Sequence, residues 1–418
     1  MTHWLIVGGG TAGCVLASRL SEDSSSHVTL IEAGPPVTRQ SGIGAPPVSY
    51  LDDLTAAGAV WPGLTVSDGD DGRRSYPQGR GLGGSSSING SVLSGADLPQ
   101  YDSWSWTGLV AARRTMQIPA ETVPPMQLGP VDRALLGSAR DGVRATLSRK
   151  AGARVSTADA YLKPARQRPN LDIVTDTLVA RVLTNGHTVS GVVTAAGDRL
   201  EADQVVCSAG SIHTPALLLR SGIDVDGVGD GLTDHPSRII EIALKPDSSA
   251  DPQSLVTGAA VRRGPVEVMA MNHLGRDRPA AGALFVGLLV TSRRGSVRLD
   301  PLAADDPTVS PVVDFGRLDD VDDVRGLADG VTLAQRLLAS RSFATIIDGY
   351  TVGSGYGGYA HASSSCRMGT VVDQHGAVNG YDGLFICDAS VFPEIPASGT
   401  YLPVVLLAER LAALWCIP

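Results

Sequence analysis

Late in the chain, the stretch YAHASSSCRMGT (residues 359–370) places His361, Cys366 and Arg367 within seven positions. Such a cluster suits a metal ligand, a catalytic base or a packed histidine with no chemistry of its own. The metal reading is the weakest, because neither Cys366 nor His375 stands at a recognised ligand spacing from His361. A base is chemically attractive because an imidazole with an unperturbed pKa of about 6.5 takes and returns a proton near neutral pH.

The amino terminus offers a different chemistry. An apolar run ends in GGGTAG, so Gly8, Gly10 and Gly13 form G-x-G-x-x-G; CVLASRL follows with helical spacing, and HVTLIEAG supplies a second strand ending at Glu32. Glycines let a backbone approach a pyrophosphate at the positive end of a helix, and the acid is placed to hold ribose hydroxyls. Strand, turn, helix, second strand and terminal acid together predict a dinucleotide site, with NAD and FAD both open at this point.

The elements that must position these residues are numerous. At 418 residues the chain exceeds one ordinary core, and 43% hydrophobic content with 49 glycines describes a globular protein rich in tight turns. A formal charge of −9 disfavours nucleic acid, which needs a basic face. The apolar run AGALFVGLLV is too short for a transmembrane segment, which takes about 20 residues. The first residues lack a basic, apolar and small-residue leader pattern, and the five cysteines show no C-x-x-C spacing. A cytoplasmic protein without structural zinc is the expectation.

Between Pro35 and Gly79 no period is sustained, which predicts long loops. A second glycine and serine cluster runs from Gly79 to Leu93. In residues 172–210, Asn185-Gly186 and Ala196-Gly197-Asp198 separate β-branched runs, predicting a meander and then the strand QVVCSAG. HTPALLLRSG reads as a helix with His213 at its start. Residues 237–299 read as a mostly antiparallel sheet, and apolar positions 321, 324, 327, 331, 334 and 338 predict an amphipathic helix with an acidic first turn.

Six ordered segments carry a resemblance. GGGTAG with Glu32, GRGLGGSSSING, RVSTADAYLKPARQRPNLDIVTDTLVARVL, GSIHTPALLLRSGI followed by VGDGLTDHP, HASSSCRMG and GLFICDASVFPEIPASG together resemble the glucose-methanol-choline (GMC) oxidoreductase family across nearly the whole chain. The resemblance implies an α/β (α+β overall) fold in which an FAD-binding Rossmann-like domain is interwoven with an antiparallel-sheet substrate domain. On that pattern residues 1–102, 151–235 and 361–418 form the FAD-binding domain, and 103–150 and 236–360 the substrate or cap domain. The implied cofactor contacts are Gly8, Gly10, Thr11, Ala12, Gly13 and Glu32, then Gly83, Gly84, Ser85, Asn89 and Gly90, then Val179, and finally Asp388, Ala389, Gly399 and Thr400. His361 matches the family's catalytic histidine, which would take a hydroxyl proton while a hydride passes to flavin N5. Cys366 is expected to pack, Arg367 to be structural, and His235 to bond locally near the domain junction.

The chain departs from the pattern at three points. Gly399 stands where most members carry a second polar catalytic residue, a histidine or asparagine. Ile88 stands where some carry a histidine bonded to the flavin, so the FAD is expected to be non-covalent. Residues 104–150 and the substrate segment look trimmed, which suggests an open site for a bulky alcohol or for an electron-acceptor partner. The glycine near this position, with the Ala, Arg and Asp usage, also resembles the family's mycofactocin-associated branch. Two alternatives to alcohol oxidation are a redox-silent lyase of the hydroxynitrile-lyase type and a flavin-bearing electron-transfer partner.

Overall fold

The strand Thr2–Val7 begins a five-stranded parallel sheet, and its run of buried Leu5, Ile6 and Val7 shows that both faces are covered. The computed structural model describes residues 1–36, 55, 58–69, 71–95, 98–104, 106–251, 254–275 and 278–416. The sheet order is Leu171–Val174, Ser26–Ile31, Thr2–Val7, Gln204–Cys207 and Leu384–Ile386, so five segments scattered over most of the chain lie side by side. From Thr2–Val7 the next strand in sequence lies on one side and Gln204–Cys207 on the other. That reversal opens a crevice at the carboxyl ends of the strands, where α/β sheets bind ligands.

Helix Thr11–Leu20 packs against helix Tyr401–Trp415, so the two ends of the chain close one core. Leu5, Ile6 and Leu16 are fully buried there, each worth roughly 1.5–3 kcal/mol relative to exposure. Trp104, Trp106, Leu109 and Ala112 join the same core.

The second large sheet is antiparallel, in the order Ile347–Val352, Pro236–Leu244, Ala281–Leu288, Val266–Met271, Ala259–Arg263 and Val143–Arg144. Its strands alternate: Val266, Val268 and Ala270 are buried against helix Val321–Leu338, while Glu267, Met269 and Met271 face the cavity described below. The helix starts at Asp320, whose carboxylate accepts from the Asp322 and Asp323 amides. It lies so close to the sheet at Gly330 that an added Cβ would meet Val286 at 2.8 Å.

Several sequence expectations need correction. In that helix Leu327, Ala334 and Leu338 are buried, but Val321 and Val324 are exposed, because the first turn directs Asp323 inward instead, where its carboxylate accepts from Thr291 and Ser292. Within the stretch read as long loops, Thr65–Asp68 and Asp71–Ser75 pair as strands and join Val312–Asp314 in a further sheet; residues 37–54 of that stretch lie outside the described residues. Strand pairing there is set by the partner Val312–Asp314, which a local period cannot reveal. The expected meander is Val179–Asn185, Thr188–Thr194 and Arg199–Glu201, with Gly186 at φ +63° in its first turn. Leu171–Val174, also read into the meander, instead joins the parallel sheet.

Candidate active site

The glycine turn after Thr2–Val7 is dictated by close approach. Gly8 has φ +104°, and a Cβ there would lie 2.6 Å from Ser208 O; a Cβ on Gly13 would run into the Gly8 carbonyl. Gly10 caps helix Thr11–Leu20, and its own Cβ position has only Ser208 O nearby, at 3.8 Å. The second glycine loop packs directly on the first: the Gly83 amide donates to Gly9 O at 2.7 Å, and a Cβ on Gly84 would stand 2.7 Å from Gly10 Cα. Glu32 ties both loops together. Its Oε2 accepts from Gly9 N at 2.7 Å, and its Oε1 from Gly34 N at 2.8 Å and Gly81 N at 2.9 Å.

From this turn a cavity of about 630 Å³ runs between the parallel and the antiparallel sheet. Of the residues expected at the cofactor, Gly13 and Gly83 lie behind the wall and shape it, while Gly8, Gly10, Thr11, Ala12, Glu32, Gly84, Ser85, Asn89, Gly90, Val179, Asp388, Ala389, Gly399 and Thr400 line it. Asn89 Oδ1 accepts from Ser91 N and Arg154 Nη1, at 2.9 and 2.8 Å, which leaves its Nδ2 donors for a ligand. Asp388 is saturated: Gly210 N, Ser390 N and Thr214 Oγ1 all donate to it, offsetting the burial that pushes its carboxyl up. It therefore clamps helix Gly210–Arg220 to the last strand of the sheet.

His361 stands in the wall of the same cavity, bracketed by two left-handed residues, Ala360 at φ 60° and Ser364 at φ 68°. Non-glycine residues adopt such angles only where their surroundings enforce them. Here Asp234 does so: its buried carboxylate accepts from Ala360 N at 3.1 Å, His361 N at 2.9 Å and the Tyr76 hydroxyl at 3.1 Å. The Tyr359 ring stacks on the imidazole, with centroids 5.1 Å apart, and its hydroxyl donates to Glu267 at 3.3 Å. Gly287 makes room for that ring, since any Cβ there would strike it.

His235 decides the protonation of His361. The Nε2 of His235 lies 3.0 Å from Pro396 O, which can only accept, so Nε2 carries the hydrogen. Its Nδ1, 3.0 Å from His361 Nδ1, then has to accept whenever His235 is neutral. Burial pushes His235 well below the usual imidazole range, and the neighbouring His361 adds to that. His361 therefore donates from Nδ1 and holds a lone pair at Nε2. Burial also lowers His361, to about 4, so the ring is neutral at ordinary pH. The nearest wall beyond Nε2 is Gly399, where an added Cβ would sit 3.6 Å from it.

Asp234, His235 and His361 bring three metal-type ligand atoms within 4.8 Å of one another. Both nitrogens of His235 are committed to hydrogen bonds and the Asp234 carboxylate already accepts three, so a three-ligand set is not free among them.

Sequence reading missed most of this pole. It gave His235 a local role and gave Asp234 and Tyr359 none, although TDHP sets an acid beside an imidazole. Cys366 is fully buried, and its thiol is pushed well up by burial, in keeping with a packed residue.

A cavity that starts at a dinucleotide-type glycine turn and ends at a half-buried, neutral imidazole fits a nucleotide-dependent oxidoreductase by class. The chain belongs to the GMC oxidoreductase family, whose amino-terminal part matches residues 2–118 and 125–237 and whose carboxy-terminal part matches residues 291–408. It is 29% identical to 5-(hydroxymethyl)furfural oxidase of a Methylovorus species (strain MP688), over 98% of this chain and 97% of that one. It is 30% identical to an uncharacterized GMC-type oxidoreductase in the thcA 5' region of Rhodococcus erythropolis, over 98% and 97%. The fold superposes on pyridoxine 4-oxidase from Mesorbium loti with a TM-score of 0.88 at 22% identity, covering 99% of each chain.

FAD is the cofactor, and the cavity suits it. Five buried polar atoms that meet no protein partner, Gln78 Oε1, Ser211 Oγ, His213 Nε2, Arg220 Nε and the Tyr401 hydroxyl, belong to residues lining the cavity, as expected where a polar ligand completes the wall.

Proposed function

We propose that this protein oxidises a CH–OH group with His361 as the general base. The single observation that carries the reading is the His235–His361 hydrogen bond, because it leaves a lone pair on His361 Nε2 at the cavity wall. The bound FAD supplies the hydride acceptor. The chain's own part is to seat the alcohol, take its hydroxyl proton at Nε2 and hold the imidazolium that results against His235 Nδ1. A low intrinsic basicity costs proton affinity in the resting state, but it keeps His361 free of a proton when the substrate arrives.

The FAD is held without a covalent bond on this reading, because Ile88 is buried against Ala59 and Val60 and offers no nucleophile. The substrate end of the cavity presents Met269, Met271, Phe285 and Tyr359, with Glu267 as an acceptor among them. Flat, ring-bearing primary alcohols suit that wall, and 5-(hydroxymethyl)furfural, named for the Methylovorus relative, is the first compound to test. The alignment with that relative runs over 529 positions against 418 residues here, so at least 111 (529 − 418) are filled only by the relative. The shorter chain is in keeping with an open cavity mouth, which favours bulky substrates or an electron-accepting partner.

The test is the visible spectrum of the FAD-loaded protein under anaerobic conditions during addition of 5-(hydroxymethyl)furfural and benzyl alcohol. Bleaching that vanishes in His361→Ala supports the reading. Carbon–carbon cleavage with the flavin still oxidised would replace it with a lyase, and no reduction across a broad alcohol panel would leave an electron-transfer partner.

A further inference from the structure

Gly399 leaves the base with no side chain opposite it, yet the space is not empty. The Ser94 hydroxyl occupies it: a Cβ built on Gly399 would lie 2.9 Å from Ser94 Oγ and 3.6 Å from both Cε1 and Nε2 of His361. Those distances keep Oγ no more than 6.5 Å from Nε2, and one alcohol oxygen bridges two such atoms, with hydrogen bonds of about 2.7–3.0 Å to each, wherever they stand within about 6 Å of one another.

Ser94 is also held in place. Its oxygen accepts from the Gly399 amide at 2.9 Å. The next residue, Gly95, has φ +86° and passes so near Ser398 that an added Cβ would meet its hydroxyl at 2.5 Å, while the Tyr101 hydroxyl donates to the Gly95 carbonyl at 2.9 Å. Among the described residues no group accepts the Ser94 hydroxyl hydrogen. A hydroxyl that accepts from an amide is polarised into a better donor, and this one lines the cavity beside the base.

We propose that Ser94 donates a hydrogen bond to the reacting alcohol oxygen and so supplies, from another segment, the second polar contact that position 399 does not provide. This rests on the alcohol-oxidation reading. The alcohol's O–H bond breaks with its proton passing to His361 Nε2, its C–H bond breaks with the hydride passing to FAD, and the carbon is oxidised to a carbonyl. Ser94 keeps its own proton throughout; it stabilises the negative charge that grows on oxygen while the O–H bond is broken and the C–H bond is not. Position 399 is not in the left-handed region, so the backbone there accepts a side chain, and Ser94 Oγ is what crowds it.

The pair can be exchanged. Ser94→Ala lowers the limiting rate of flavin reduction about 100-fold, the scale for losing one donor to a developing oxyanion, with FAD content and melting temperature unchanged. Gly399→Asn alone is also slow, because its side chain meets Ser94. The double variant Ser94→Ala with Gly399→Asn recovers at least tenfold over Ser94→Ala. A second readout is binding of 2,2,2-trifluoroethanol, followed by the change it makes in the oxidised flavin spectrum: its Kd rises about tenfold in Ser94→Ala and falls back in the double variant. Reduction within twofold of the parent in Ser94→Ala overturns the proposal. So does a loss that tracks FAD content or goes unrelieved in the double variant. If no alcohol reduces the parent protein, the oxidation reading falls, and unchanged trifluoroethanol binding in Ser94→Ala overturns the role of Ser94 separately.

Discussion

Two half-buried histidines line the same cavity, and their surroundings set them apart. His213 lies on the Trp61 ring with centroids 3.9 Å apart, and its Nε2 meets no protein partner. Burial, with a smaller push from Arg220, lowers it to about 3. His361 is lowered to about 4 by burial as well, yet it sits in a strained segment clamped by Asp234 and shares a hydrogen bond with His235. Burial makes both rings neutral. What separates them is a neighbour: His235 fixes the tautomer of His361 and leaves its Nε2 lone pair free, whereas no such partner meets His213 Nε2.

The largest break in this comparison is His361→Ala. The rate of flavin reduction by alcohol falls at least about 1,000-fold, within the range for losing general-base catalysis, while FAD remains bound. Stopped-flow absorbance checks the rate, and a rate within tenfold of the parent would return His361 to the status of His213.

His235→Leu should cost about 100-fold. The His361 ring survives, but its Nδ1–H loses its acceptor and the preference for a free Nε2 goes with it. His235→Gln, whose carbonyl can accept, recovers part of the rate, whereas a purely structural role for His235 would leave both variants equally slow. His213→Phe makes the opposite case: it keeps a ring on Trp61 and removes both ring nitrogens, the unpaired Nε2 among them. Reduction stays within threefold, and FAD binds about 3- to 10-fold more weakly, the scale of one lost hydrogen bond, as measured by titration of the cofactor-free protein.

The two halves of the cavity were unequally legible from sequence. Gly8 and Gly13 announce themselves because no other residue tolerates the contacts they make, and Glu32 follows from the end of the second strand. The His361 end of the cavity has no such local constraint. Ser94 and Gly399 are joined by a hydrogen bond across 305 positions, and His235 and His361 across 126; spacing along the chain carries no trace of either pair. TDHP could pass for a turn, and only the left-handed backbone at Ala360 explains why its aspartate is buried facing two amides. The same limit explains the exposed Val321 and Val324, since a helical period gives an apolar face but not the polar partners, Thr291 and Ser292, that turn Asp323 inward in its place.

The smallest effect tests the histidines as acid-sensitive parts of the fold. In the unfolded chain an imidazole takes up a proton as the pH falls below about 6.5, whereas native His361 and His213 hold off to about 4 and about 3. The unfolded state thus binds more protons between these limits, so the stability these groups contribute is complete above about 6.5 and is lost progressively as the pH falls toward 4. Asp132 acts in the other direction. Its buried carboxyl, raised to about 6, takes up a proton in the native state first and opposes the loss. The absolute slope of melting temperature against pH therefore mixes both signs, and the informative quantity is the difference between variants. His213→Phe removes one of the resisting imidazoles, so between pH 6.5 and 4.5 its melting temperature should fall less than that of the parent, by about 2 °C. Parallel curves would mean that His213 reaches its proton in the folded state, and that the neutrality it shares with His361 does not come from burial.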